Sequence, residues 1–197
     1  MEKLRDLGRA ALLCLIGGSA DAIAYLRFGT FVGAMSGNTV LLGIDLAGGR
    51  AERALYHAAI IAVFFAAIIA TRTAVTFAVP RAVPLFLTAI MLAGSQFIPG
   101  PWGAALSAAA LGMQTSAVLR IGGVSINTVF VTGDLVRLGM AVPLAAAPEH
   151  RNRMLFLGAA WTAYAAGAVG GAAALKLIAY PMAVPAVLAL IAAVVER

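Results

Sequence analysis

The chain has 197 residues, of which 62% are hydrophobic and 11% charged, and its mean hydropathy is +0.98. Soluble domains carry about 25% charged residues, so this composition excludes a soluble globular protein, and 197 residues leave no room for a soluble domain beside a membrane part. The formal charge of +6 does not point to nucleic acid, because Arg and Lys sit mostly at the ends of apolar segments, where they orient helices and meet anionic lipid.

Met1 to Arg9 is a charged cap on the first apolar run, and no A-x-A-like cleavage site follows it, which reads as an uncleaved anchor. Eight apolar segments then follow, at 10–26, 31–47, 54–79, 82–98, 101–119, 126–147, 152–175 and 177–195. The breaks are polar or rich in Gly and Pro: Arg27-Phe28-Gly29, Gly48-Gly49-Arg50, Pro80-Arg81, Pro99-Gly100-Pro101, Arg120-Ile121-Gly122-Gly123 and Pro148 to Arg153. Runs of this length without short-period alternation predict an all-α polytopic membrane protein, not a β-barrel. Cys14 is alone, so neither an intramolecular disulfide nor a Cys-based metal site is expected, and no cofactor is implied.

The chain reads as a single transmembrane domain, 1–197, built as two pseudo-symmetric repeats of four segments, about 8–98 and 101–195. Met35-Ser36-Gly37-Asn38-Thr39 and Val131-Thr132-Gly133-Asp134-Leu135 match at an offset of 96 residues. Alanines at 62, 66, 70, 74 and 78 match Gly158, Thr162, Ala166, Gly170 and Ala174 at the same offset, and Pro80-Arg81-Ala82-Val83-Pro84 resembles Pro181-Met182-Ala183-Val184-Pro185. Tyr25-Leu26-Arg27-Phe28-Gly29 corresponds more loosely to Val118-Leu119-Arg120-Ile121-Gly122. Ordered agreement over four segments is the signature of an internal repeat. The small-residue stripes, with Ala163-xxx-Gly167-xxx-Gly171, serve close helix packing inside the molecule or form a homodimer seam.

Six to eight of the segments are true spans, with 31–47 and 126–147 as re-entrant candidates. Eight spans with the N-terminus inside place Lys3, Arg5, Arg9, Arg50, Arg53, Arg151, Arg153 and Arg197 on the inner side, against Arg27, Arg81, Arg120 and Lys176 outside. With 31–47 and 126–147 re-entrant, Arg50 and Arg53 exchange sides with Arg81 and Arg120, and the balance is unchanged. The rule therefore favours a cytoplasmic N-terminus and leaves six against eight open.

Polar groups at membrane depth are costly and mark function by default. Asp21 is flanked on both sides by apolar residues; Asn38 and Asp134 head the duplicated motifs; Gln114 sits in segment 5 near the position of Asp21 in segment 1. Gly37 and Gly133 remove a side chain, which lets backbone groups face a ligand. Ser36, Thr132, Asn38 and Asp134 are therefore read as surrounding a small polar solute or ion, with Asp21 and Gln114 in the same layer. Arg137, at i+3 from Asp134, and Arg72 are candidate counter-ions, Arg72 alternatively snorkelling to the interface. Asp45 is expected at the interface, and His57 and His150 solvated near loops. Gly33-Ala34-Met35-Ser36-Gly37 resembles the nucleophile site of rhomboid proteases, but it has one residue too many and no histidine at matching depth, so no enzyme is expected.

Gly18-Ser19-Ala20-Asp21-Ala22, Phe31-Val32-Gly33-Ala34-Met35-Ser36-Gly37-Asn38, Leu111-Gly112-Met113-Gln114 and Val129-Phe130-Val131-Thr132-Gly133-Asp134 resemble the YoaK-like family of small bacterial inner-membrane proteins. That family's pattern is roughly G-x-x-D-A, then T-G-N, then a second T-G; here Ser36 stands where Thr is usual and keeps the hydroxyl. The resemblance implies about six spans, which favours the re-entrant reading, and implies no activity.

The resulting expectation is a multi-pass protein of the bacterial inner membrane that moves a small polar solute or ion through a site where the repeats meet. If transport is proton-coupled, Asp21 or Asp134 carries the proton. The alternative is a non-transporting scaffold, or a subunit that binds another membrane protein or lipid.

Overall fold

The computed structural model describes residues 2–117, 120–121, 124–125, 131–144 and 147–196. Val118, Leu119, Gly122, Val129 and Phe130, which enter the repeat and family patterns above, lie outside the described residues. Among those described, each apolar segment carries one helix: α1 (Glu2–Phe28), α2 (Met35–Ala47), α3 (Ala51–Thr76), α4 (Ala82–Ser95), α5 (Gly100–Ala117), α6 (Val131–Ala141), α7 (Pro148–Leu177) and α8 (Ala183–Val195). Two two-residue strands, β1 (Arg120–Ile121) and β2 (Val124–Ser125), pair antiparallel between α5 and α6. The protein is an all-α polytopic membrane protein. α1, α3 and α7 are long and apolar enough to cross a membrane, and α4 and α8 are shorter apolar helices. Phe65, Ile69, Leu87, Val169 and Leu177 are exposed on the outside of the bundle, where apolar side chains meet lipid.

Small residues set the tightest crossing, between α1 and α7. A Cβ on Gly18 would collide with the carbonyl oxygen of Tyr164, one on Gly167 with that of Leu15, and one on Gly171 with that of Ser19. The Ala163–Gly167–Gly171 stripe is thus spent inside the molecule. Ala62, Ala66 and Ala70 on α3 face outward instead, toward lipid or a second copy.

Contacts between helix ends fix the direction of each helix. Tyr56, in the second turn of α3, donates its hydroxyl to the carbonyl of Phe28, the last residue of α1, at 3.2 Å. Arg27 bonds Gln96, just past α4, at 3.1 and 3.2 Å, and Gln96 Oε1 also accepts the Met182 N–H at 3.0 Å, just before α8. α1 and α4 therefore end where α3 and α8 begin. At the opposite end Arg9 pairs with Glu196, past the end of α8, and Gln114, late in α5, donates to the Leu13 carbonyl at 3.0 Å. α7 runs parallel to α1, with Gly167 on Leu15 and Gly171 on Ser19.

Two consequences follow for the short helices. The chain leaves α1 and enters α3 at one end of the bundle, so the 29–47 segment dips in and returns. By the same reasoning α6, 11 residues long, dips from the opposite end, between the end of α5 and the start of α7.

Helix packing has a reciprocal pattern. α1 packs on α7 as α5 packs on α3; α2 packs on α3 as α6 packs on α7; α1 packs on α8 as α5 packs on α4; α4 also packs on α8. Pro84 and Pro185 each occupy the third residue of their helix, inside the first turn where proline costs little. Pro84, Leu85 and Thr88 are buried on α4, as are Pro185, Ala186 and Ala189 at the corresponding positions of α8.

Candidate functional site

Gly29 (φ 69°) ends α1: its N–H bonds the Tyr25 carbonyl at 2.9 Å and the chain turns back beside its own helix. Three successive amides of the returning segment then converge on Asp21. Val32 N–H reaches Oδ1 at 2.8 Å, Gly33 N–H reaches Oδ1 at 2.7 Å and Ala34 N–H reaches Oδ2 at 3.1 Å. Such a run of amides is a nest for an anion, and here the anion is supplied by α1. Tyr164 of α7 completes the shell, its hydroxyl donating to Asp21 Oδ2 at 2.6 Å. Three backbone amides and the Tyr164 hydroxyl thus surround the two Asp21 oxygens. Helix α2 starts only after these amides, at Met35.

An open cleft of about 310 Å³ lies against this group, between α1 and α7. Asp21 and Tyr164 form its polar wall. Gly18, Ala22 and Ala168 leave it room, and Tyr25 and Phe31 line it with rings stacked at 4.7 Å. A second cleft, of about 260 Å³ between α3 and α4, is lined by Ala67, Thr71, Val83, Pro84 and Met113 among others, and no ionisable side chain among the described residues lines it.

Asn38 is fully buried and closes on the same segment. Its Oδ1 accepts the Phe31 N–H at 2.9 Å and its Nδ2 donates to the Phe31 carbonyl at 2.7 Å. It positions the amides of the nest instead of facing the cleft. Gly37 has a matching reason: a Cβ there would meet the Phe31 ring at 2.7 Å, whereas Gly133 has open space. Ser36 and Thr132 face outward, not toward Asn38 and Asp134. Residues two apart on a helix point about 200° apart, so burying Asn38 and Asp134 turns the hydroxyls away. Asp134 is buried and pairs with Arg137 at 3.4 Å. Gln114 is buried between α5 and α1. Arg72 is exposed on α3 and is not among the partners of Asp21.

Four residues of this network were not singled out from sequence as site residues: Tyr164, Thr30, Asp45 and His57. Contrary to the expectation for Asp45 and His57, both are buried, at 3% and 1% exposure. A Schellman turn at Gly48-Gly49 is the cause. Arg50 N–H bonds the Asp45 carbonyl at 2.8 Å and Gly49 N–H bonds that of Leu46 at 3.1 Å. The turn folds Arg50 back onto Asp45 (Nε to Oδ1, 2.6 Å) and lays α3 against α2, with His57 Nε2 3.3 Å from Asp45 Oδ2. His57 Nδ1 lies 3.1 Å from the Thr30 hydroxyl, which is 2.9 Å from Asn38 Oδ1. Among the described residues, no three His, Cys, Asp or Glu side chains are placed together as metal ligands.

The model of a family described as "Protein of unknown function (DUF1275)" matches residues 9–195. The chain belongs to this family. One curated protein of similar sequence is the UPF0700 transmembrane protein YoaK of Bacillus subtilis (strain 168), 32% identical over 143 residues. The match covers 65% of this chain and 63% of YoaK, less than two thirds of that protein's length. No solved structure matches. The DUF1275 chain described here is thus a YoaK-like membrane protein, and both the nest on Asp21 and the Asn38 clasp lie inside the matched region.

Proposed function

We propose that this protein is a secondary transporter or channel-like protein for a small polar solute or ion, in the bacterial inner membrane with its N-terminus in the cytoplasm. The observation that carries the reading is the cleft between α1 and α7, walled by the Asp21 carboxylate and the Tyr164 hydroxyl. It presents one carboxyl group, a hydroxyl and two stacked rings, and among the described residues no cationic side chain lines it. That favours a small cation or a neutral hydrogen-bonding solute over an anion.

The repeat reading is part of this proposal. The reciprocal packing and the matched buried faces of α4 and α8 support two repeats. The helix directions support six spans, α1, α3, α4, α5, α7 and α8, with 29–47 and α6 re-entrant from opposite sides. Three spans per repeat put the second repeat upside down relative to the first. Inverted repeats with broken segments beside a polar site at their interface are a recurring transporter design. Asp21 belongs to the first repeat and Tyr164 to the second.

The test is thermal stabilisation of the purified protein by a panel of small cations, amines and neutral polar solutes. Ala168→Leu, which narrows the cleft and leaves both the Asp21 and Tyr164 side chains in the sequence, is run beside it. A solute that stabilises the parent and not the variant supports the reading; equal stabilisation of both places the solute elsewhere. The second reading, a non-transporting scaffold or lipid- or partner-binding subunit, is favoured by one observation: protein donors already engage both oxygens of Asp21. It predicts that no solute stabilises the parent.

A further inference from the structure

The hydrogen-bond partners along the 29–57 segment fix where its protons sit. The Asn38 amide has one orientation, because only Oδ1 can accept from Phe31 N–H and only Nδ2 can donate to the Phe31 carbonyl. Oδ1 is therefore an acceptor, and the Thr30 hydroxyl, 2.9 Å away, donates its single proton there. Thr30 Oγ1 then has only lone pairs to offer His57 Nδ1 at 3.1 Å, so Nδ1 carries a hydrogen. The other ring nitrogen, Nε2, is buried without an aligned hydrogen bond, 3.3 Å from Asp45 Oδ2. Asp45 is held as a carboxylate by Arg50 at 2.6 Å and Arg53 at 3.6 Å. With one proton, His57 would turn a lone pair on Nε2 toward that carboxylate. With two, the contact is an ion pair.

We propose that His57 is a proton-binding site, closed by Asp45, and that its occupancy sets the position of the re-entrant segment that holds Asp21. The connection is continuous: Asp45, His57, Thr30, Asn38, the Phe31 backbone, then the amides of Val32, Gly33 and Ala34 on Asp21. When the proton leaves Nε2, either Asp45 and the end of α2 draw away from α3, or the ring turns and releases Thr30. Both outcomes loosen the clasp on Phe31. The charged and titratable groups around the ring are Asp45 on α2, Arg50 in the turn, and Arg53 and Tyr56 on α3 itself. α5, which also packs on α3, contributes none.

The inference rests on the cleft reading only in its consequence for Asp21, and its test needs no solute. The full chain, labelled with 15N at histidine and glycine and purified in detergent, is titrated by NMR. His57 is separated from the second histidine with His150→Gln. We expect the neutral form of His57 to keep its proton on Nδ1, the less common tautomer, and the Gly33 amide to shift with the same midpoint as His57. In Asp45→Asn, which leaves the ring and Thr30 in place, the Nε2 resonance of the doubly protonated ring moves because its carboxylate partner is gone, while that of Nδ1 stays. A neutral His57 protonated on Nε2, a Gly33 amide that ignores the titration, or an unchanged Nε2 resonance in Asp45→Asn overturns the proposal. Those results leave the cleft reading standing, and failure of every solute to bind leaves the His57 result standing.

Discussion

Tyr164→Phe isolates the contact that ties the second half of the chain to the Asp21 shell. The substitution removes one hydroxyl and keeps the ring, so the α1–α7 seam and the cleft wall are preserved and no cavity opens. What is lost is a single bond to a carboxylate at 2.6 Å. Hydrogen bonds to charged groups contribute about 1.5–3 kcal/mol net in soluble proteins. Interhelical bonds within membranes average about 0.6 and reach about 1.7 kcal/mol. Asp21 Oδ2 keeps the Ala34 amide at 3.1 Å, so the carboxylate is not orphaned. The expected destabilisation is therefore about 1–2 kcal/mol, near the top of the membrane range. Reversible unfolding in mixed detergent micelles measures it, with Tyr180→Phe as the control, because Tyr180 is 57% exposed. A double-mutant cycle with Asp21→Asn should return most of that energy as coupling between the two sites. If Tyr164→Phe unfolds within about 0.3 kcal/mol of the parent, the hydroxyl does not hold Asp21 and the reasoning fails, since such a difference is within the scatter of independent sites.

Other outcomes follow from the same geometry. Gly18→Ala places a methyl on the Tyr164 carbonyl and should cost at least the 1–3 kcal/mol typical of overpacking, about the upper half of that range because backbone must move. Gly133→Ala, with open space at its Cβ, should be neutral or gain about 0.5–1 kcal/mol from helix propensity, measured by the same unfolding assay. Asn38→Ala strands both polar groups of Phe31 and should cost about 2–4 kcal/mol; a loss below about 1 kcal/mol would mean water replaces the clasp. Single cysteines at Arg50 and Arg81, in a Cys14→Ala background, should react with impermeant reagent from opposite faces, Arg50→Cys from outside. The reverse assignment would support eight spans.

Much of the architecture is legible in the sequence. Polar and Gly/Pro breaks divided the chain correctly because helices in lipid must satisfy their own backbone and can stop only at such places. The direction of α2 was not legible. Arg50 and Arg53 trade evenly with Arg81 and Arg120, so charge balance carries no information, and a contact between Tyr56 and Phe28 was needed to decide it. Asp21 stood out because a carboxylate in an apolar run is costly, but its partners are backbone amides, which no side-chain pattern announces. Tyr164 was hidden in a stretch of Ala and Gly; its signal was the glycine at position 18 that makes room for it, readable only once α1 and α7 are known to cross. Asp45 and His57 were misjudged by their closeness to a segment end. The Gly48-Gly49 pair was the clue, since a Schellman turn folds the next helix back over the last turn of the previous one.

The central claim is that solute passes through the molecule by way of the Asp21–Tyr164 cleft. Uptake into proteoliposomes of the solute that stabilises the parent protein tests it most directly, with Ala168→Leu reconstituted in parallel. The account predicts time-dependent accumulation in parent vesicles and uptake no faster than in protein-free vesicles for the variant. Binding with no uptake above protein-free vesicles by the parent itself would contradict it and leave a protein that holds its solute without moving it.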